Sequence, residues 1–342
     1  MIEKKIRLSD RDDKGNNIFL TITENERINL ESIDILLEMK ISLEQTENKG
    51  KNFLHLLFEK EKTEENFLME ISKKFRKLGL VNKKDFKSKS VLHYYFKKGN
   101  ISKQMVGHLI RINGDINAVD NKGKTPLHSF FKTHHFKNFD FLNYLIEENA
   151  KIDFISNSGK NALHDSFENS NVSFELVKYL VGYPLNINQT DSKNRNVLFY
   201  AIKRENISLD ILLYLLENNA DPNIEDKLGN SALYYCYSKK KFEFFCSIIC
   251  NSRIEKNILT FIYKTSLSKK DKEYSSLIKD YMNNGSVWTF ERYKLFPIKF
   301  QQKVKNFLIC QLLISKKNRF FKIPKPILNK ILLLSSSHKM VY

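Results

Sequence analysis

"DNKGKTPLHSF" spans Asp120 to Phe130, and the fold turns on whether it is one turn before one helix or one copy of a repeated unit. Aligned against the chain, it finds "DDKGNNIFL" at Asp12, "ENKGKNFLH" at Glu47, "DFKSKSVLH" at Asp85, "SNSGKNALH" at Ser156, "DSKNRNVLF" at Asp191 and "DKLGNSALY" at Asp226. The apolar anchors Phe19, Leu54, Leu92, Leu127, Leu163, Leu198 and Leu233 are then 35, 38, 35, 36, 35 and 35 residues apart, a period that belongs to helical-repeat arrays. Seven copies in register make the repeat the building block.

Each copy carries its own start signal. The residue two before the anchor is Asn17, Asn52, Ser90, Thr125, Asn161, Asn196 or Ser231, and each has a side-chain oxygen able to accept the unpaired amide hydrogens of a first helical turn. Pro126 adds a residue preset for the first helical position. The turn before the cap carries Gly15, Gly50, Gly123, Gly159 or Gly229, with Asn194 as a substitute, residues that tolerate positive φ. A second apolar period follows, as in "LVKYLVGYPLNIN" from Leu176 and "LLYLLENNADPNIED" from Leu212, and predicts a second helix. Asn113-Gly114, Asn149-Ala150 and Asn219-Ala220 sit where that helix ends in a left-handed residue. In the fifth copy this position is Pro184, whose fixed φ forbids the conformation, so a displaced loop is expected over residues 182–185.

The unit resembles the ankyrin repeat, whose pattern runs Asp-x-x-Gly-x-Thr-Pro-Leu-His, a second helix, then Gly-Ala-Asp-x-Asn. The resemblance covers residues 10–254, with Thr125-Pro126-Leu127-His128 the complete copy and Leu20, Phe199 and Tyr234 in place of the histidine elsewhere. It implies an all-α ankyrin-repeat solenoid of about seven helix-turn-helix units with short hairpin turns, which leaves turn tips and inner helix faces as a long concave binding surface.

His55, His93, His128 and His164 recur once per unit, but stacked helices lie about 8–10 Å apart, whereas nitrogens sharing a zinc ion each approach it to about 2 Å. In the family this histidine bridges backbone groups of neighbouring turns, and that role is expected here; no metal or cofactor site is read. His134 and His135 read as surface residues. The position after the histidine is variable in the family and faces the binding surface: here Leu56, Tyr94, Ser129, Asp165, Tyr200 and Tyr235. Tyr94, Ser129, Asp165, Tyr200 and Tyr235 are therefore the candidate partner-binding residues, tyrosine being a rigid amphipathic contact residue. The alternative, that some are half-buried against neighbouring turns, weighs equally. Phe58, Phe96, Phe131, Phe167 and Tyr237, two positions further on, read as core.

Composition narrows the class. Eleven glycines and six prolines in 342 residues argue against long disordered tracts. No apolar run approaches the roughly 20 residues that cross a bilayer, and Met1 to Asp10 lacks the apolar centre of a secretion signal. A cytoplasmic monomer, with the nucleus as alternative site and no membrane association, is expected. Cys236, Cys246, Cys250 and Cys310 show no CxxC spacing and have no histidine close in sequence, so buried free thiols are expected in place of disulfides or zinc. Nucleophile-elbow, Walker and dinucleotide-binding motifs are absent and the acidic residues form no paired constellation, which predicts a non-catalytic protein.

Lysine and arginine number 57 against 39 acidic residues, a net charge of +18. Residues 255–342 hold 18 basic and 5 acidic residues, so 18 − 5 = +13 of it sits in the tail. Heavy Lys, Asn and Ile usage also fits an AT-rich genome, which limits the weight of charge as a binding signal. Residues 255–286 read as a degenerate repeat or pair of capping helices, and residues 287–342 as a helical C-terminal box. That box is similar to the F-box-like module that ends poxvirus ankyrin proteins, through Ile323, Pro324, Ile327, Leu328, Ile331 and Leu332, and to the suppressor-of-cytokine-signalling box, through Val304, Phe307, Leu308, Cys310 and the Ile323-Pro324-Lys325-Pro326 turn. Either resemblance implies an adaptor docking on subunits of a cullin-type ubiquitin ligase while the array selects the substrate protein. The alternative, a helical pair that covers the last repeat, weighs equally. Nucleic acid is the lesser reading, resting on Lys239 to Lys241, Lys269 to Lys272 and Lys316 to Lys322 with Phe320 and Phe321 beside the last.

Overall fold

The computed structural model describes residues 11–24, 28–38, 46–60, 63–133, 139–169, 171–251, 254–269 and 271–284. The chain divides into two compact units, Met1–Asn186 and Ile187–Tyr342. In the first, helices alternate as α1 Ile18–Thr21, α2 Leu30–Glu38, α3 Phe53–Glu59, α4 Glu65–Lys74, α5 Val91–Tyr95, α6 Lys103–Arg111, α7 Pro126–Thr133, α8 Asp140–Glu147, α9 Ala162–Glu168 and α10 Phe174–Val181. The second holds α11 Val197–Lys203, α12 Leu209–Glu217, α13 Ala232–Ser238, α14 Phe242–Asn251, α15 Lys256–Ser268 and α16 Lys272–Asn284. Among the described residues there is no strand, only an isolated antiparallel bridge between Glu225 and Ser231. None of the described helices is long and apolar enough to cross a membrane.

Each odd-numbered helix from α1 to α13 starts one residue after the cap read from the sequence. Asn17 accepts the Leu20 amide at 2.9 Å, Asn52 that of His55 at 3.0 Å, Asn161 that of His164 at 3.3 Å and Ser231 that of Tyr234 at 3.3 Å. A cap of this kind stabilises a helix by about 1 kcal/mol, a useful share for helices of one to two turns that cannot stand alone. The turns behave likewise. Gly15, Gly50, Gly123, Gly159 and Gly229 have positive φ, as do Asn194 and, in the third copy, Ser88.

The second helices end on Asn113, Asn149 and Asn219, at φ of 69°, 64° and 64°. In the fifth copy Gly182 stays right-handed at φ −68° and no residue from 182 to 185 takes positive φ; the loop is closed instead by the Leu185 amide donating to the Tyr183 carbonyl at 2.6 Å. The loop is thus displaced where Pro184 excludes the left-handed residue.

Two polar ladders set the register between copies. At the turn tips, one amide of each turn donates to the preceding turn: Asn48 to Lys14 at 3.1 Å, Phe86 to Lys49 at 3.0 Å, Asn121 to Lys87 at 2.9 Å and Asn157 to Lys122 at 2.9 Å in the first unit, and Lys227 to Lys193 at 3.0 Å in the second. At the other end an asparagine clamps the following copy. Asn117 donates to the Asn149 carbonyl at 2.7 Å and accepts the Lys151 amide at 2.9 Å. Asn82 treats Asn113 and Asp115 the same way, as Asn188 does Asn219 and Asp221. Each such amide neutralises one carbonyl that a helix end leaves unpaired. Asp153 stands at this register at the end of the fourth copy, and a carboxylate can accept but not donate, so the asparagine clamp on the following copy, the fifth, which carries Pro184, is lost.

Apolar packing fills the space between helices. In the first unit Phe58, Tyr95, Phe96, Phe130 and Phe131 form a run of edge-on rings with centroids 5.8, 6.4, 6.1 and 6.0 Å apart, the arrangement that aromatic quadrupoles favour. Phe58, Phe96, Phe131, Phe167 and Tyr237 are all buried, as the sequence predicts. In the second unit Tyr274 of α16 meets Tyr237 and Phe245 edge-on at 5.0 and 4.9 Å, and the Tyr237 hydroxyl donates to Asp271 at 2.8 Å. Cys236 and Cys246 are buried free thiols, and burial pushes the Cys236 thiol pKa upward.

Candidate partner-binding face

The face is built from the turn outward. In the turns begun by Asp85, Asp120, Asp191 and Asp226, one carboxylate oxygen accepts the amides two and four residues on, for Asp85 those of Lys87 at 2.9 Å and Lys89 at 2.7 Å. The recurring histidine then ties turn to helix. The Nδ1 of His55 accepts the Asn52 amide at 3.0 Å, and its Nε2–H donates to the carbonyl of Lys89 in the next copy at 2.9 Å. His93 does the same with Ser90, at 3.1 Å, and Lys124, at 2.9 Å. In both, the ring is neutral with the proton on Nε2, and burial lowers the pKa, to about 4 for His55. His128 accepts the Thr125 amide at 3.1 Å while its Nε2 has no partner; burial again lowers it to about 4. His55 and His93 therefore bridge backbone groups of neighbouring turns, the role the repeat pattern implies. Among the described residues no group of three or more His, Cys, Asp and Glu is placed to hold a metal ion.

Of the two readings of the residues after the histidine, packing against neighbouring turns describes their burial, and three of them lie deeper than half-buried. Tyr94 and Tyr200 are only 7% and 9% exposed, and Asp165 is fully buried; Leu56, Ser129 and Tyr235 are half-buried. The three tyrosines are tied to the turn aspartate nine residues earlier. Tyr94 donates its hydroxyl to Asp85 at 2.6 Å, Tyr200 to Asp191 at 2.8 Å and Tyr235 to Asp226 at 3.1 Å. Burial and that carboxylate push the Tyr94 and Tyr235 pKa values upward, and Asp191, although burial alone would raise it, is held at about 2 by hydrogen bonds from Arg195 and the turn. Cations lie over the rings, Lys51 over Tyr94 at 5.1 Å and Arg195 over Tyr200 at 5.2 Å. Tyr94 and Tyr200 thus act beneath the surface, as struts of the turns, and Tyr235 with Ser129 keeps part of its side chain at the rim.

The fifth copy inverts the pattern, with Ser156 opening the turn and the carboxylate at Asp165. One oxygen of Asp165 faces Lys124 Nζ at 3.3 Å and the other has no partner; burial pushes this carboxyl pKa upward. Beside it Glu168 is held by Lys132 at 2.9 Å and by Lys160, and although burial alone would raise its pKa, those two ammonium groups hold it at about 2.

Two features of the face escape a reading by region. The turn tips expose large apolar side chains, Phe86 at 73%, Ile155 at 48% and Leu228 at 83%. The Phe86 ring lies where a side chain on Gly50 would stand, with its Cδ1 2.5 Å from that Cβ position. The third turn position also carries an exposed lysine in successive copies, Lys49, Lys87 and Lys122. Averaging charge over long segments hides these lysines, whereas the repeat alignment displays them. In the second unit the basic stretch Lys239 to Lys241 and the residues around Asp271 meet: Lys240 pairs with Asp271 at 2.8 Å, and Lys269 lies 5.8 Å from the Tyr237 ring. The adaptor-box residues Leu308, Cys310, Ile323, Pro324, Ile327, Leu328 and Ile331, and the basic stretch Lys316 to Lys322, lie outside the described residues.

Short capped helix pairs, hydrogen-bonded turn tips and bridging histidines define the class as a helical-repeat array. Residues 92–191 and 168–260 match the family model of ankyrin repeats in three copies. This part of the chain consists of ankyrin repeats, and the fold is all-α, an ankyrin-repeat solenoid. No curated protein matches the chain in sequence. Among solved structures it is similar to the ankyrin repeat domain of Bcl-3, described as a unique member of the IkappaB protein family, with 18% identity over 68% of this chain and 99% of that one and a TM-score of 0.49. Ankyrin repeats make the protein a protein–protein interaction scaffold, and such repeats are typically non-catalytic.

Proposed function

We propose that the protein receives one partner protein on the turn and first-helix face of its repeats, the concave side of an ankyrin array. What carries this reading is the contrast within each turn. The polar groups beneath are closed on one another, as in Asp85 with Lys87, Lys89 and Tyr94, while Phe86, Ile155 and Leu228 stand exposed at the tips. Large apolar side chains left in water at several turns mark an interaction surface. Ser129 and Tyr235 add rim contacts, and Tyr94, Asp165 and Tyr200 hold the turns beneath them.

The proposal extends to substrate delivery to a cullin-type ubiquitin ligase by the segment 287–342, supported by the sequence around Leu308, Cys310, Ile323 and Pro324. Affinity purification from cell extract tests both parts. Replacing Phe86 and Leu228 with serine should reduce recovery of the captured partner with unchanged helical circular dichroism; undiminished recovery would show that the face is misassigned. A chain ending at Gly285 should keep the partner and lose cullin-linked proteins. Their absence from the full-length sample would remove the adaptor role and leave the scaffold standing.

A further inference from the structure

Several lysines of the first unit's repeats are neutralised within the fold. Lys51 pairs with Glu59 at 2.5 Å, Lys124 with Asp165 at 3.3 Å, and Lys132 and Lys160 with Glu168. The turn-tip lysines are different. Lys49, Lys87 and Lys122 are exposed, and none has an ion-pair or side-chain hydrogen-bond partner among the described residues. The nearby carboxylates are turned inward: Glu47, Asp85 and Asp120 are occupied by turn amides, at 3.0 Å from Lys49 N, 2.9 Å from Lys87 N and 2.8 Å from Lys122 N. Residues 46–52, 83–89, 120–125 and 156–161 together hold nine lysines and three carboxylates; with Lys51, Lys124 and Lys160 paired to Glu59, Asp165 and Glu168, 6 − 3 = +3 is left. A positive edge of this kind steers and holds a negatively charged partner.

Spacing narrows the partner. The carbonyls of Lys49 and Lys87 accept the amides of Phe86 and Asn121, so the tips advance one repeat at a time along a hydrogen-bonded ladder. Stacked helices set that step at about 8–10 Å. A β-strand alternates faces and puts residues i and i+3 on opposite sides. A polyproline-II segment repeats its face every third residue and rises about 9.3 Å in doing so. Single-stranded nucleic acid would draw on base stacking, and this edge offers one exposed ring, Phe86, beside aliphatic Val119 and Ile155.

Resting on the scaffold reading, we propose that the turn-tip edge of the first unit binds an acidic protein segment in polyproline-II conformation. Its carboxylates recur at every third residue against Lys49, Lys87 and Lys122, and its apolar residues lie on Phe86, Val119 and Ile155.

The probe is a fluorescein-labelled peptide of five Glu-Pro-Pro units, compared by fluorescence anisotropy with an isomer that gathers the five glutamates at one end, and with a 15-nucleotide oligothymidylate. The full-length chain should bind the periodic peptide about tenfold more tightly than the clustered isomer. K49E/K87E/K122E should weaken that binding about tenfold or more with unchanged circular dichroism, a size expected from three exposed ion pairs, and added salt should weaken it too. Equal affinity for the two isomers, indifference to the triple substitution, or tighter binding of the oligothymidylate would each overturn the proposal. Capture of the cellular partner by K49E/K87E/K122E at the unsubstituted level, with loss on F86S/L228S, would overturn it while leaving the scaffold reading intact.

Discussion

Acid should loosen the first unit in a defined pH window, because two of its recurring histidines are buried and neutral. His55 and His128 have folded pKa values near 4, lowered mainly by burial, against 6.5 for the free side chain. For such a group the unfolded chain takes up the proton first. The stabilisation is complete above pH 6.5 and is lost as pH falls from 6.5 towards 4, at about 1.36 kcal/mol per pH unit per histidine. Between pH 7 and pH 5 the loss is therefore about 2 kcal/mol for each and about 4 kcal/mol for the pair. Carboxylates contribute lower down, since Glu168 shifts from 4.5 to about 2 and its share is lost only below pH 4.5. Urea unfolding followed by far-ultraviolet circular dichroism at pH 7.0 and 5.0 measures the loss. The H55Q/H128Q variant should be less stable at pH 7.0, yet its drop between the two pH values should be smaller than that of the parent by about 4 kcal/mol. Equal drops in parent and variant would show that these rings titrate normally and are not sealed between turns.

Other perturbations probe the ladders. Asn188→Ala removes the bonds to the Asn219 carbonyl at 2.8 Å and from the Asp221 amide at 2.7 Å; at about 1 kcal/mol per bond it should cost about 2 kcal/mol in urea unfolding. Asn188→Asp, able only to accept, should fall between. Gly50→Ala puts a methyl group 2.5 Å from the Phe86 ring at a φ of 78°, and should lower the melting temperature and shift the Phe86 ring signals in NMR spectra. Tyr200→Phe deletes the hydroxyl bond to Asp191 at 2.8 Å and should raise the Asp191 pKa above about 2, measurable by carboxyl carbon NMR titration, with about 1 kcal/mol of stability lost.

Local chemistry made the repeats legible. The caps Asn17, Asn52, Asn161 and Ser231, the turn glycines and the left-handed Asn113, Asn149 and Asn219 each act within four or five residues, so spacing alone reveals them. Pro184 is legible for the same reason, since its ring forbids one conformation whatever surrounds it. The binding face was only partly legible. Whether Tyr94 and Tyr200 point outward depends on the turn folding back until Asp85 and Asp191 meet hydroxyls nine residues on, a contact that helical periodicity does not show. Asp165 is buried because its copy opens with Ser156, leaving Lys124 of the preceding copy as its counter-charge. The clamps of Asn82, Asn117 and Asn188 join copies more than thirty residues apart. The turn lysines were in plain sight but were averaged away beside the larger excess of charge in residues 255–342.

Site-specific photo-cross-linking tests the central claim most directly. With p-benzoylphenylalanine in place of Phe86, at a turn tip, irradiation in cell extract should attach one protein partner covalently. The same group in place of Lys178, exposed on α10, should attach none. An adduct formed from position 178 and absent from position 86 would contradict a partner held along the turns.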